Sequence, residues 1–171
     1  MTDMQTLPNP QASFGAIADF ILGSSPEQLF PLTALATAKL LILDLIGVMA
    51  AATKLEAGKI ARDHAVNHWA AGPNAPAARL LFDGRKSSLP GFSFAMATQV
   101  DNLDAHDGWQ PSLGHGGAAL LPALCAFAEA ENELSGMEAL QAMVVGYEVA
   151  YRAALALHAT VSDYHTSGAW N

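Results

Sequence analysis

LTALATAKLLILDLIGVMAAAT, residues 32–53, is the stretch that decides the fold. Its apolar residues recur at helical spacing through Leu35, Ala38, Ile42, Leu45 and Met49. The positions between them are mostly apolar too, so the helix has almost no polar face. Such a helix is predicted to be buried on more than one side. It belongs among other helices or against a partner.

The rest of the chain supplies those helices. Ser25-Pro26-Glu27-Gln28 reads as a helix start, with Ser as cap and Pro at the first helical position. The spacing predicts helices over 58–71 and 92–103, the first ended by Gly72-Pro73-Asn74. ARLLFDGRKSSLP, residues 78–90, predicts a short extended piece and a turn at Asp83-Gly84. Further helices are predicted over 116–131 and, after a turn over 132–136, to about 158. Ser135-Gly136-Met137-Glu138 is a capping box for the last of them. Glu148 and Arg152 are spaced i, i+4 to pair on its face. No strand alternation persists beyond a few residues. The expected fold class is all-α, a multi-helix bundle. Ser167-Gly168-Ala169-Trp170-Asn171 reads as the first turn of a helix that stops at once, with little to stabilise it. Residues 1–171 are therefore expected to be a single helical domain, truncated.

Composition narrows the function classes. Hydrophobic residues make up 51% and charged ones 14%, more apolar than an ordinary soluble surface needs. That points to an oligomer, or to a part of a larger protein. Net charge is -8 with no basic stripe, so no nucleic-acid partner is expected. The single cysteine, Cys125, sits in LLPALCAFAEA; it suits a reducing cytoplasm and reads as a buried structural thiol. MTDMQTLPNPQ carries no basic residue before the first apolar run and is not a signal peptide. The run Leu40–Ala52 holds Asp44 and is shorter than the roughly 20 residues a bilayer span needs. A soluble, cytoplasmic protein with no membrane partner is expected.

The chemistry concentrates in DNLDAHDGWQPSLGHGG, residues 101–117. Glycines around His115 allow close backbone approach to a ligand. The helix behind them offers free N–H groups and a positive dipole end, an arrangement suited to a carboxylate or phosphate. That positive end favours a neutral imidazole at His115, which can accept a proton as general base. Asp104 or Asp107 could orient the ring. Read instead as a plain interhelical loop, the aspartates are caps and the glycines turns. Asp104, His106, Asp107 and His115 are also possible metal ligands, but their spacing matches no helix-borne ligand pair and no thiolate joins them. No metal is expected. His64 and His68 are i, i+4 with no Glu of the zincin arrangement between them, and read as an exposed amphipathic face. His165 lies in a polar turn, Tyr164-His165-Thr166-Ser167-Gly168, where it is either functional or part of a cap. His158 reads as the polar end of an apolar helix.

The ordered set LLILDLIGVMAA, LLFDGRKSS, DNLDAHDG, GHGGAALLPALCAFAE, SGMEALQAMVVGYEVAYR and YHTSGAW resembles the MmgE/PrpD family over about residues 31–171. That family includes 2-methylcitrate dehydratase, cis-aconitate decarboxylase and iminodisuccinate epimerase. The resemblance implies a cofactor-independent enzyme, a small di- or tricarboxylate substrate, a large helical domain, a smaller lid domain and a homodimer. Asp104 matches the family's catalytic Asp, His115 its first His and His165 its second. His106, Asp107, Gly116 and Gly117 are expected to bind substrate. The family threonine falls on Gly108, and Gly116 stands where many members have Pro. The DAHDG…GH form is closer to the epimerase-like branch. The Lys and Tyr that complete the family pocket, and the lid, would lie beyond Asn171. Two functions follow as expectations: a lyase or epimerase working by proton abstraction at a carbon next to a carboxylate, or a helical assembly module without catalysis.

Overall fold

The computed structural model describes residues 10–23, 30–130 and 134–161, with side chains from residue 14 onward. Six helices dominate: α1 (Pro10–Leu22), α2 (Leu32–Ala51), α3 (Glu56–His68), α4 (Leu89–Asp101), α5 (Gly116–Ala130) and α6 (Gly136–Thr160). Short 3-10 turns at Ala52–Lys54 and Gln110–Ser112 and one small hairpin complete the described elements. The mostly helical fold matches the sequence expectation.

α4 is the centre. It packs between α3 and α5 and also meets α2 and both strands. Phe92, Ala95, Met96 and Val100 are its buried face, joined by Leu45 and Met49 of α2, Ala65 of α3, Leu121 of α5 and Met143 of α6. The periodicity predicts a start at Phe92; the helix begins at Leu89. Ser88 caps it by accepting from the Gly91 N–H at 3.2 Å, and Pro90 fits the first turn, where its missing N–H costs nothing.

The hairpin pairs β1 (Ala77–Arg79) with β2 (Lys86–Ser88), antiparallel, in the register Ala77↔Ser88 and Arg79↔Lys86. Its turn lies at Asp83-Gly84, as read from the sequence. Gly84 takes φ 87, which favours glycine, and Asp83 Oδ1 accepts from the Arg85 N–H at 3.1 Å. A buried polar hub ties this hairpin to the helices. Arg62 of α3 donates to Gln99 of α4 and, at 3.1 Å, to the Thr53 carbonyl, and its Nε lies 3.2 Å from Asp83. Gln99, fully buried, also donates to the Met49 carbonyl at 2.9 Å.

α6 follows its sequence signals. Ser135 accepts from the Glu138 N–H at 3.2 Å, and Glu138 accepts from the Ser135 N–H at 2.8 Å, which makes the capping box reciprocal. Glu148 and Arg152 pair at 2.6 Å. The helix start read at Ser25 falls outside the described residues. α1 was not foreseen; among the described elements it touches only α6, and Phe14 and Leu22 are exposed.

α2 departs from expectation in two ways. Only Ala38, Leu45 and Met49 are buried, while Leu40 and Leu43 are 66% and 68% exposed. Nothing among the described residues covers that side, so the helix is buried on one side only. The continuous helical stretch Leu32–Lys54 is also 23 residues long, enough to cross a membrane by length and composition. The shorter apolar run alone had suggested otherwise. Its inner side nonetheless belongs to the core shared with α4, α5 and α6.

Candidate active-site loop

The loop between α4 and α5 is held by its own backbone. The Asp104 N–H donates to the Asp101 carbonyl at 2.9 Å, and the Trp109 N–H donates to the Gly114 carbonyl at 3.1 Å. Asp104 (φ 48) and Leu113 (φ 53) both sit in the left-handed region. Asp tolerates that conformation better than Leu, and such strained residues gather where a loop is held for a purpose. From α6, His158 Nε2 donates to the Ser112 carbonyl at 2.9 Å and clamps the loop's far end. The Trp109 ring rests on Tyr151, centroids 4.9 Å apart.

His115 lies just before α5 with its side chain 33% exposed. Its Nδ1 bonds the Asp107 main-chain carbonyl. A carbonyl only accepts, so Nδ1 carries the hydrogen and Nε2 keeps the lone pair in the neutral ring. Asp104 Oδ1 stands 3.4 Å from that Nε2, placed to receive its hydrogen once a proton has been taken up. Asp104 itself is 82% exposed.

His106 is the opposite case, with its side chain fully buried. Its Nδ1 is 3.3 Å from Asp107 Oδ1 and its Nε2 is 3.6 Å from Asp101 Oδ1, beyond hydrogen-bond reach. Its ring centroid lies 4.6 Å from that of His115. Burial alone would lower the His106 pKa, but the Asp107 carboxylate, with Asp101 and Asp104 behind it, outweighs burial and the net shift is upward.

The Asp107 side chain is buried and central. Its Oδ2 accepts from the Gly117 N–H at 3.1 Å and from the Tyr151 hydroxyl at 3.2 Å. Burial pushes its pKa up, but His106 and the Gly117 N–H more than reverse that, leaving it below the ordinary carboxylate value. Burial first, then the Asp107 charge, push the Tyr151 hydroxyl up to about 12 and the Tyr147 hydroxyl further. The Tyr147 hydroxyl is inaccessible and, among the described residues, makes no hydrogen bond of ordinary geometry. The Gly116 N–H points to the Tyr151 hydroxyl at 3.4 Å. Both glycine N–H groups assigned from sequence to a substrate anion are thus engaged within the protein.

The loop brings together Asp104, His106, Asp107, His115, Gly116 and Gly117. His165 lies outside the described residues. Tyr147 and Tyr151 were missed. Their signal was available: two tyrosines one turn apart on an otherwise apolar helix face imply a polar group facing them. A cleft of about 560 Å³ between the start of α2 and α6 reaches this loop at Asp107, Gly108 and Trp109. Among the described residues Asp107 and Glu148 line it and no Lys, Arg or His does, so these residues alone do not make a carboxylate site. Among the described residues no group of three or more His, Cys, Asp or Glu is arranged to hold a metal. His64 and His68, exposed on α3, have ring centroids 4.9 Å apart, and His64 packs on Trp69 and Phe94. Burial pushes the Cys125 thiol pKa up, away from nucleophilic chemistry.

The pattern of the MmgE/PrpD N-terminal domain matches residues 15–170. No curated protein and no solved structure matches this chain.

Proposed function

The chain belongs to the MmgE/PrpD family, and from that premise we propose a cofactor-independent lyase or epimerase acting on a small di- or tricarboxylate. One observation carries the reading: His115 presents an unprotonated Nε2 in its neutral form, because its Nδ1 is committed to the Asp107 carbonyl. Nε2 then takes the proton from a carbon next to a substrate carboxylate, and Asp104 stands beside the imidazolium that results. Departure of a leaving group from the carbanion gives a lyase; reprotonation on the other face gives an epimerase. Cations must balance the substrate's carboxylates, and with His115 neutral as the base the imidazole beside it that is left for this role is that of His106, 4.6 Å away between ring centroids. We extend the proposal to a second proton donor at His165, a cytoplasmic location and a homodimer.

The test is proton exchange in D2O with a panel of small di- and tricarboxylates, followed by NMR. It is run on this chain and on the longest product of its gene. Deuterium entering next to a carboxylate, and lost in His115→Ala, supports the reading and names the substrate class. No exchange by either form refutes it.

The exposed side of α2 favours a second reading, in which the domain's role is assembly. Leu32, Leu40 and Leu43 form an apolar strip whose contact with a partner would be entropically favourable. A monomer in sedimentation, unchanged by Leu40→Glu, would argue against it.

A further inference from the structure

We propose that Asp107 is a positioning residue for His115: its carboxylate pins the loop to α5 and α6 so that its own carbonyl fixes which nitrogen of His115 is offered to a ligand. The catalytic meaning of this proposal rests on His115 acting as the base; the geometry does not.

Three contacts of the Asp107 side chain come from three places. The Gly117 N–H belongs to the first turn of α5, the Tyr151 hydroxyl to α6, and His106 Nδ1 to the loop itself. A carboxylate has about four lone-pair sites, and these donors occupy three of them. The side chain is 4% exposed, so a substrate would have to displace several internal bonds to reach it. Hydrogen bonds to a charged acceptor are each stronger than neutral ones, and losing them together would free the residue. With its side chain held on three sides, the direction of the Asp107 carbonyl is set. That carbonyl is the partner of His115 Nδ1. A histidine in water prefers the hydrogen on Nε2, so holding it on Nδ1 needs a fixed acceptor. The two roles of Asp107 therefore meet in one residue: the side chain sets the main chain, and the main chain sets the tautomer.

The experiment is nitrogen-15 NMR of the His115 ring in the neutral state, for the wild type, Asp107→Asn, Asp107→Ala and Tyr151→Phe. The wild type is expected to show Nδ1 protonated and Nε2 free. Asp107→Asn keeps an acceptor oxygen for Gly117 and Tyr151, and it should retain that tautomer. Asp107→Ala should move most of the population to Nε2–H. Tyr151→Phe removes one bond only and should shift a smaller fraction the same way; it also carries the test if Asp107→Ala does not fold. An unchanged His115 tautomer in folded Asp107→Ala, or in folded Tyr151→Phe should the alanine variant not fold, overturns the proposal. In the exchange assay a positioning role lowers kcat at least tenfold with KM unchanged. A raised KM at unchanged kcat would instead make Asp107 a substrate contact and overturn it as well. If no form exchanges any substrate, the proton-abstraction reading fails, while the tautomer measurement still decides the role of Asp107.

Discussion

Replacing Gly117 by alanine should be costly out of proportion to the one methyl added. A Cβ at this position would stand 2.5 Å from both Asp107 Oδ1 and Leu45 Cδ1, and closer still to the Tyr147 hydroxyl. None of the three has room to withdraw: Leu45 is fully buried in the core, Tyr147 is 9% exposed, and Asp107 is held by its own bonds. Forcing a methyl into a packed interior costs about 1–3 kcal/mol. Displacing the Asp107 carboxylate from the Gly117 N–H adds about 1.5–3 kcal/mol. Against this, alanine recovers up to about 1 kcal/mol of helix propensity. The net destabilisation is then about 1.5–5 kcal/mol, which for a domain of this size lowers Tm by about 3–20 °C. Gly47 is the internal control. It lies mid-way along α2 with nothing within 4 Å of an added Cβ. Gly47→Ala should therefore stabilise by about 0.5–1 kcal/mol. Urea unfolding followed by circular dichroism measures both variants. A Gly117→Ala midpoint equal to wild type would refute the reasoning, because it would mean the Tyr147–Asp107–Leu45 contact is loose.

Three other outcomes are expected. The His106–Asp107 pair makes stability depend on pH with a definite sign. The lowered Asp107 pKa contributes stability above the ordinary 3.8 that is lost as pH falls through the lowered value; the raised His106 pKa contributes stability below the ordinary 6.5 that is lost as pH rises through the raised value. The pair's contribution is thus greatest between those two ordinary values, and His106→Gln should flatten the decline on the alkaline side in pH-resolved unfolding. Arg62→Ala strands Gln99 and the Thr53 carbonyl in the interior, while Asp83 keeps Arg85 at 2.7 Å, and should cost about 1–3 kcal/mol by denaturant melt, the range for leaving buried polar groups unpaired; no measurable loss would mean that water replaces the guanidinium. Ser135→Ala removes half of a reciprocal cap and should cost about 1 kcal/mol, measured the same way.

The parts of the fold that could be read from the sequence are those whose cause is local. The capping box at Ser135, the Glu148–Arg152 pair and the turn at Asp83-Gly84 each depend on residues within four positions of one another. The loop could be picked out as a chemical cluster for the same reason, since its histidines and aspartates are neighbours in the chain. What the cluster does internally depends on distant residues. Tyr151 is 44 positions from Asp107, and Gln99 is 50 from the Met49 carbonyl it bonds. No periodicity reports such pairs. The Ser88 cap was legible in principle, by the same Ser and Pro logic applied at residues 25–28, but the apolar periodicity that starts at Phe92 hid it. The exposed side of α2 had no local signal at all: an apolar face reads the same whether a neighbour covers it or not.

The central place of α4 also sets how the molecule comes apart. Of residues 91–100 only Phe94 is exposed, and the helix leans on α3, α5, α2 and the hairpin at once. Its amides can meet solvent only when all of those neighbours have let go, so their hydrogen exchange reports global opening. Among the described elements α1 touches α6 alone, so its amides are expected to exchange through a local opening of low free energy. The candidate loop is fastened at one end to α4 and at the other to α5. Its exposed residues 101–105 and 108–110 can loosen through local fluctuations, while Gly116 and Gly117, buried at the start of α5, open only with that helix; the surface around His115 can therefore move while the helix behind it stays closed.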